Sequence, residues 1–349
     1  MRPPELPFPH DRKGRILSAS HASLPLPADL APRLIAWYRA HKRDLPWRAD
    51  RDPYRVWVSE IMLQQTRVEA VKPYFERFMR TLPDVASLAA AGEEELMKLW
   101  AGLGYYRRAR YLKQCAQVVV AEHGGRFPET AAELRKLPGI GRYTAGAIAS
   151  IAFDEAAPAV DGNVLRVLSR FFAAVVDVDC AESALEACYP PGRCGDFTQS
   201  LMELGATVCL PNGEPLCAAC PLASDCRARA LGRTAEFPPP AVRVPRKIEV
   251  LTVLILRCRG RIALRRRPPT GVLAGLWELP NFPGEDPALG ASFGEVRATF
   301  RAKHVFTHLE WHMLALVVEC ERESPDFRWS EPGVHPLPNA FAKLLAAAP

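Results

Sequence analysis

The stretch LPGIGRYTAGAIASIAFDEAAPAVDGNVLR, residues 137–166, decides the fold that the sequence predicts. Pro138 ends the preceding helix, because proline has no amide hydrogen to donate within a helix. Gly139 and Gly141 permit the positive φ angles of a very tight turn. Residues 143–153 are small and apolar at helical spacing. Together these features predict a helix-hairpin-helix.

The glycine turn of this hairpin allows a phosphate to approach its backbone N–H groups closely. The positive end of the following helix adds to the attraction. Such contacts hold DNA without reading its sequence. Gly139 and Gly141 are therefore candidate DNA-binding residues. The alternative is a turn that only connects two helices.

Asp161, Gly162 and Asn163 follow the apolar segment, at the predicted beginning of a third helix. Aspartate is a preferred N-cap residue, so capping alone would account for Asp161. The order of hairpin, Gly/Pro-rich loop and aspartate resembles that of the helix-hairpin-helix DNA glycosylase superfamily. The resemblance implies a catalytic role for Asp161, and this role is compatible with capping.

Length and composition limit the possible classes of protein. The chain has 349 residues, which is enough for two or three domains, and 48% of them are hydrophobic. A net charge of +6 permits a polyanionic partner. No run of about 18 apolar residues is present to span a membrane. We expect an intracellular, cytoplasmic and nucleoid-associated monomer with no membrane contact, and we predict a disordered arm over residues 1–27.

Glu60 is surrounded by apolar residues in the segment 57–66, WVSEIMLQQT. Such surroundings raise the pKa of a carboxyl group, so that it holds a proton near neutral pH, as a general acid requires. The alternative is a glutamate that faces solvent or pairs with an arginine such as Arg67.

The same segment closely resembles a helix of the MutY family of adenine DNA glycosylases. The resemblance implies that Glu60 is the catalytic acid and that Gln65 probes the DNA stack. The turn GLGYY, residues 102–106, also resembles the family, which implies that Tyr105 enters the stack beside the oxidised guanine. Arg108 follows this turn and suits a phosphate surface.

Position 143 distinguishes two related mechanisms. Endonuclease III carries a lysine two residues after the last hairpin glycine, for Schiff-base attack on the sugar, whereas this chain has Tyr143. No lysine occurs between Lys136 and Lys247. We therefore predict hydrolysis by water, with Tyr143 and Asn163 in supporting polar roles that the resemblance implies. A pyrimidine-lesion lyase and a non-catalytic DNA-binding iron-sulfur protein remain alternatives.

Four of the ten cysteines lie within residues 209–226. Cys209, Cys217, Cys220 and Cys226 follow the spacing C-x7-C-x2-C-x5-C, which strongly implies a metal site. The neighbouring residues resemble the [4Fe-4S] loop of MutY and endonuclease III, although the first gap is one residue longer than usual. Tetrahedral zinc is the competing interpretation.

The composition changes after residue 231, where a proline-rich basic linker is predicted for residues 232–247. Residues 248–258 and 261–265 then have the pattern of paired strands. The segment GLWELP, residues 275–280, resembles the Nudix-like domain of the MutY family, but the glutamate-rich Mg²⁺ helix of a pyrophosphatase does not follow. We therefore expect this domain to bind and not to hydrolyse.

Phe306, Thr307 and His308 align with the family's Phe-Ser-His loop, which implies that they recognise 8-oxoguanine. Threonine replaces the usual serine, which keeps the hydroxyl and adds a methyl group. The predicted protein has several domains. An all-α helix-hairpin-helix glycosylase core, residues 28–231, carries a [4Fe-4S] loop, and an α+β Nudix-like domain occupies residues 248–349. Its predicted partner is double-stranded DNA with A:8-oxoguanine or A:G mispairs.

Overall fold

The computed structural model describes residues 24–239 and 245–349. They divide into two compact units. The first contains residues 24–90 and 111–239, and the second contains residues 91–110 and 245–349. Residues 91–110 are thus grouped with the C-terminal residues, although the predicted boundaries place them in the helical domain. The predicted arm and linker lie partly outside the described residues.

The α-helices are α1 (Leu30–His41), α2 (Pro53–Leu63), α3 (Val68–Thr81), α4 (Val85–Ala90), α5 (Glu93–Trp100), α6 (Arg107–His123), α7 (Ala131–Leu134), α8 (Arg142–Phe153), α9 (Gly162–Phe172), α10 (Val178–Glu186), α11 (Cys194–Thr207), α12 (Arg227–Ala230) and α13 (Asn339–Ala347). The strands are β1 (Lys247–Cys258), β2 (Arg261–Arg266), β3 (Trp277–Glu278), β4 (Asn281–Pro283), β5 (Glu295–Val305), β6 (Leu309–Glu319) and β7 (Arg328–Ser330). The helical core and the α+β C-terminal part predicted from the sequence are confirmed.

The predicted hairpin connects α7 to α8. Gly139 has φ +75°, and a Cβ atom there would lie 2.6 Å from the Cβ of Tyr111, so only glycine fits. Gly141 has φ −86° and ψ 178°, which is extended backbone that any residue adopts. The positive φ predicted for Gly141 is therefore wrong. Gly141 instead precedes the first turn of α8, where no neighbouring atom would obstruct a Cβ.

After α8 ends, the connecting segment runs back alongside this helix before α9 begins. Gly146 makes this possible, because a Cβ at this position would lie 2.2 Å from the carbonyl oxygen of Pro158. The segment after Pro158 then reaches Asp161, the N-cap residue of α9. Close contact between a helix and a loop therefore fixes where Asp161 lies.

The centre of the first unit is α11, which packs against α1, α8 and α9, while α2 packs against α8. The side chains of Leu34, Leu168 and Phe197 are almost completely buried in this core. Leu24 is also buried there, although it belongs to the part of the chain predicted as a disordered arm. Burial of apolar area at about 25 cal/mol per Å² is the main stabilising contribution of such a core.

Part of the predicted linker is folded against α9. Phe237 is 2% exposed. The Nε atom of Arg170 donates to the carbonyl oxygens of Thr234 and Phe237, both at 3.0 Å. The described residues 232–239 thus belong to the first unit.

The second unit is built on a seven-stranded sheet in the order β3-β2-β1-β6-β5, with β4 paired to β1 and β7 paired to β2. β1 pairs with β2, as the sequence predicted, and this pairing is antiparallel, whereas β1 and β6 are parallel. Alternate residues of β1 face two cores, so that Val253 packs with α13 on one face and Leu254 with Trp329 on the other. Residues 306–308 connect β5 to β6.

No described helix is long and apolar enough to cross a membrane.

In the second unit, the residues between β4 and β5 form only a short 3₁₀ helix, Leu289–Ser292. The described chain therefore has no α-helix where a Nudix pyrophosphatase carries its glutamate-rich helix.

Candidate active site

A cavity of about 530 Å³ lies within the first unit. The four residues predicted to act in catalysis all line it, and they are Glu60, Tyr143, Asp161 and Asn163. A cavity of this volume is in the range that binds a small molecule or a single base. Folding thus brings together side chains from α2, α8 and the beginning of α9.

Glu60 is held on the buried side of α2. The helix begins at Pro53 after Asp52, whose side chain accepts a hydrogen bond from the backbone N–H of Tyr54 at 2.8 Å. Glu60 itself is 7% exposed. Its Oε2 atom accepts a hydrogen bond from the hydroxyl of Tyr143 at 2.6 Å. The alternative of a glutamate that faces solvent is therefore wrong.

The surroundings of Glu60 favour its protonated form. Burial raises the pKa of Glu60 to about 7, and the negative charge of Asp161 acts in the same direction. The hydrogen bond from Tyr143 and the charge of Arg48 lower the pKa by less. Burial and the two carboxylates also raise the pKa of Tyr143 well above its ordinary value, so the phenol remains a donor.

Asp161 caps α9. Its Oδ1 atom accepts hydrogen bonds from the N–H groups of Asn163 at 2.9 Å and Val164 at 2.8 Å. Its Oδ2 atom accepts from the side-chain amide of Asn163 at 2.7 Å. The predicted N-cap role of Asp161 is confirmed. Because the helix N-terminus and three N–H donors surround it, a negative charge is stabilised at this position.

A chain of hydrogen bonds links Asp161 to the cysteine loop. The side-chain oxygen of Asn163 accepts from Arg166 at 2.9 Å. The Nε atom of Arg166 donates to the carbonyl oxygen of Cys209 at 2.8 Å, and its NH2 atom donates to that of Gly205 at 2.8 Å. Sequence reasoning missed Arg166. Its place one turn after Asn163 in α9 was the available signal.

The four predicted cysteine ligands line one smaller cavity. The NH1 atom of Arg170 lies 3.3 Å from the sulfur of Cys209. Four thiols beside a buried guanidinium group fit a metal group that is bound by thiolates. Cysteine ligands must be deprotonated, and a nearby positive charge stabilises thiolates in general. Among the described residues, no three Cys, His, Asp or Glu side chains converge on a position for a single metal ion.

A buried ion-pair network forms another wall of the main cavity. Glu203 is fully buried and accepts from Arg43 at 2.7 and 2.9 Å and from Arg48 at 2.7 Å. Burial raises the pKa of Glu203, but the hydrogen bonds from both arginines outweigh it and lower the pKa to about 2. Sequence reasoning missed these three residues. Both arginines lie in the turn RDLPWR, where their charge was the only signal.

Gln65 lies at the rim of the cavity, two residues after the end of α2. Its φ angle is +56°, in the left-handed region that non-glycine residues rarely adopt. Such strain often marks a functional position. The DNA contact of Gln65 stays a prediction.

Two predicted DNA-contacting residues approach each other in the second unit. The hydroxyl oxygens of Tyr105 and Thr307 are 2.8 Å apart and share a hydrogen bond. Tyr105 is 47% exposed and has φ +48°. On the 306–308 turn, Thr307 and His308 are exposed and Phe306 is half-buried. The ring of Phe306 packs 4.9 Å from that of Trp311.

Arg108 supports the turn that carries Tyr105. Its guanidinium is buried and donates to the carbonyl oxygen of Gly104 at 3.2 Å. It also lies 5.3 Å from the ring centroid of Tyr105 and 5.4 Å from that of Trp100. Burial lowers the pKa of Arg108 to about 10. The phosphate contact predicted for Arg108 would require this guanidinium to leave its buried position.

Two family models match the chain. One is described as "HhH-GPD superfamily base excision DNA repair protein" and matches residues 58–188. The other is described as "NUDIX domain" and matches residues 252–347. The first range includes Glu60, Tyr143 and Asp161, and the second includes the 306–308 turn.

Curated proteins named adenine DNA glycosylase are similar to this chain. The Arabidopsis thaliana protein is 42% identical over 71% of this chain and 46% of its own length. The Homo sapiens protein is 41% identical over 76% of this chain and 61% of its own length. The Buchnera aphidicola (Acyrthosiphon pisum, strain APS) protein is 32% identical over 73% of this chain and 75% of its own length. The chain thus spans less than two thirds of the plant and human relatives.

Two solved structures resemble part of the fold. A thermostable thymine-DNA glycosylase has 30% identity and a TM-score of 0.54, and covers 58% of this chain and 95% of its own. Endonuclease III in a non-covalent complex with DNA has 25% identity and a TM-score of 0.51, and covers 60% of this chain and 100% of its own.

Proposed function

Because the chain belongs to the adenine DNA glycosylase family, we propose that it removes mispaired adenine from double-stranded DNA by hydrolysis during base excision repair. The proposed substrates are adenine opposite 8-oxoguanine and adenine opposite guanine. The observation that carries the proposal is a buried, protonatable Glu60 in the same cavity as Asp161. The base must leave the stack to enter this cavity, at a cost of about a few kcal/mol.

Glu60 acts as the general acid. Its Oε2 atom accepts a hydrogen bond from the hydroxyl of Tyr143, so its other oxygen is available to carry a proton towards the base. Transfer of that proton to N7 of adenine makes the purine a better leaving group. A pKa of about 7 keeps a substantial protonated fraction at neutral pH.

Asp161 acts on the sugar. Loss of the base leaves positive charge on the deoxyribose, and an ionised carboxylate stabilises it through charge or a transient covalent bond. Asn163 orients this carboxylate through its 2.7 Å hydrogen bond. Water then adds to the sugar carbon, with release of Asp161 if a bond to it has formed, and gives a proton to the Glu60 carboxylate, which leaves an abasic site.

Hydrolysis is favoured over lyase chemistry at this site. Schiff-base attack requires an amine nucleophile. The basic side chains that line the cavity are the guanidinium groups of Arg43 and Arg48, which are not amine nucleophiles, and the position of the endonuclease III lysine is Tyr143. We therefore propose a monofunctional enzyme.

The second unit supplies recognition of the base opposite adenine. We assign Phe306, Thr307 and His308 to contact 8-oxoguanine, and Tyr105 to enter the stack beside it. The exposure of Thr307 and Tyr105 and their shared hydrogen bond support this assignment. The DNA contact of the hairpin is assigned to Gly139 and Gly141. We also propose that the protein acts as a monomer inside the cell.

Cys209, Cys217, Cys220 and Cys226 hold a [4Fe-4S] cluster in this proposal. Their common cavity and the neighbouring Arg170 support it, because a thiolate-bound cluster is anionic. The cluster contributes charge and cross-linking of the loop when it is bound, and it has no part in the steps above. Zinc remains the alternative, and metal analysis of purified protein distinguishes the two.

The experiment that tests the function is single-turnover release of adenine from duplexes that contain A:8-oxoguanine, A:G or A:T. We expect the fastest release from A:8-oxoguanine. In Glu60→Gln, release should fall by at least about a hundredfold, the usual contribution of a general acid, while binding of the duplex is retained. Glu76→Gln, on the exposed side of α3, is the matched control and should behave as wild type.

Near-normal turnover by Glu60→Gln would exclude the assigned acid. Strand cleavage together with a covalent complex trapped by borohydride would favour the lyase. Absence of base release from iron-loaded, DNA-binding protein would favour a non-catalytic role.

A further inference from the structure

Arg110 lies on the first turn of α6, beside the turn that carries Tyr105. By charge alone, it resembles Arg107, an exposed arginine suited to a DNA phosphate. Its contacts are different. The Nε atom of Arg110 donates to the carboxylate of Glu93 at 3.1 Å, and its NH1 atom donates to the carbonyl oxygen of Ala274 at 2.9 Å.

We propose that Arg110 is a positioning residue that fastens the Tyr105 turn to the 268–276 loop and thereby increases selectivity for 8-oxoguanine. The inference rests on the proposed function.

The 268–276 loop is shaped to receive this guanidinium. Gly275 has φ +66°, and a Cβ atom there would lie 3.0 Å from the NH2 atom of Arg110. A larger residue would therefore be strained and would crowd the arginine. The backbone N–H of Gly275 is itself fixed by the carbonyl oxygen of Pro268 at 2.9 Å. The acceptor at Ala274 is thus part of an ordered loop.

Two further contacts hold residues 91–110 within the second unit. His335 Nδ1 lies 2.8 Å from the carboxylate of Glu94, and Asn339 donates to the carbonyl oxygen of Gly102 at 3.1 Å. Arg110 differs from both, because its single rigid guanidinium joins the beginning of α5, the beginning of α6 and the loop.

The turn that carries Tyr105 needs the support that Arg110 gives. Tyr105 has the strained φ of +48°, and its hydroxyl meets Thr307 through one exposed hydrogen bond. A hydrogen bond of this kind contributes only about 0.5–1.5 kcal/mol. If the turn shifts, Tyr105 and Thr307 separate, and the two groups assigned to the 8-oxoguanine side no longer act together.

The test compares single-turnover rates for A:8-oxoguanine and A:G in Arg110→Ala, Arg110→Lys and Arg107→Ala. For Arg110→Ala we expect the ratio of the two rates to fall about three- to tenfold, as loss of a hydrogen bond implies. The A:G rate should stay unchanged. Lysine reaches only one of the two acceptors, so Arg110→Lys should be intermediate.

Salt dependence of duplex binding separates positioning from phosphate contact. Loss of a phosphate contact reduces the slope of log affinity against log salt by about one. We expect this change for Arg107→Ala and an unchanged slope for Arg110→Ala. The proposal would be overturned if Arg110→Ala reduced the salt slope, or if it lowered the A:8-oxoguanine and A:G rates equally. It would also be overturned if Arg110→Lys kept the wild-type affinity and the wild-type ratio of the two rates.

Two controls connect the effect to Tyr105. In a Tyr105→Phe background, which lacks the hydroxyl, Arg110→Ala should lower the ratio less than in wild type. Amide hydrogen exchange of residues 101–106 in the DNA-free protein should be faster in Arg110→Ala. Unchanged exchange would refute the fastening role even in a protein that releases no adenine. This measurement therefore distinguishes failure of the fastening role from failure of the proposed function.

Discussion

At the scale of single residues, a carboxyl group is kept in surroundings that oppose its charge. Burial raises the pKa of Glu60 from 4.5 to about 7. Its protonated form therefore stabilises the fold relative to its ionised form. This contribution is fully present below pH 4.5 and is lost as the pH rises through about 7.

Glu60→Gln should consequently be more stable than wild type at pH 8, because the amide never ionises. The difference between the two free energies of unfolding should grow with pH by up to about 3 kcal/mol, since each pKa unit corresponds to about 1.4 kcal/mol. Urea unfolding at acidic and alkaline pH measures it, with Glu76→Gln as control. A difference that does not vary with pH would contradict the raised pKa.

At the scale of elements, the candidate active site depends on the close approach of α8 to the loop before α9. Gly146 permits this approach, because a Cβ there would lie 2.2 Å from the carbonyl oxygen of Pro158. Backbone cannot move aside as the end of a flexible side chain can. Asp161 lies only a few residues further along the chain, so a displaced loop would also displace the carboxylate.

Gly146→Ala should lower the free energy of unfolding by about 1–3 kcal/mol, as overpacking does, and should slow base release. Gly162→Ala is the matched control, because nothing lies within 4 Å of its Cβ position at the beginning of α9. That substitution should stabilise the protein by about 0.4–1 kcal/mol. Denaturant unfolding of both variants provides the comparison, and equal stabilities would disprove the steric argument.

At the scale of the whole molecule, the two compact units have separate hydrophobic cores. The cysteine loop belongs to the first unit alone. Scanning calorimetry should therefore resolve two transitions. Cys217→Ser removes a ligand of the proposed [4Fe-4S] cluster and should lower the first transition by roughly 10 °C or more, because metal binding contributes directly to folding. The second transition should not move.

Cys180→Ser is the control for this experiment, because Cys180 lies on α10 outside the cysteine loop. It should leave both the iron content and the first transition unchanged. A uniform shift of both transitions in Cys217→Ser would indicate that the units unfold together.

The amino-acid sequence by itself determined the features that depend on neighbouring residues. The hairpin after α7 was predicted from its glycines, and the pairing of β1 with β2 from β-branched and apolar residues around a turn. The cap at Asp161 also follows from local hydrogen bonds. These features are recognisable because turn and capping chemistry act over a few residues.

Only the tertiary structure decided which distant groups meet. Glu60 and Tyr143 are 83 residues apart, and Tyr105 and Thr307 are 202 residues apart, yet each pair shares a hydrogen bond. The Glu203 network arose in the same way, and so did the grouping of residues 91–110 with the C-terminal unit. The physical reason is that burial, and with it the pKa of Glu60, depends on packing between elements that no local pattern encodes.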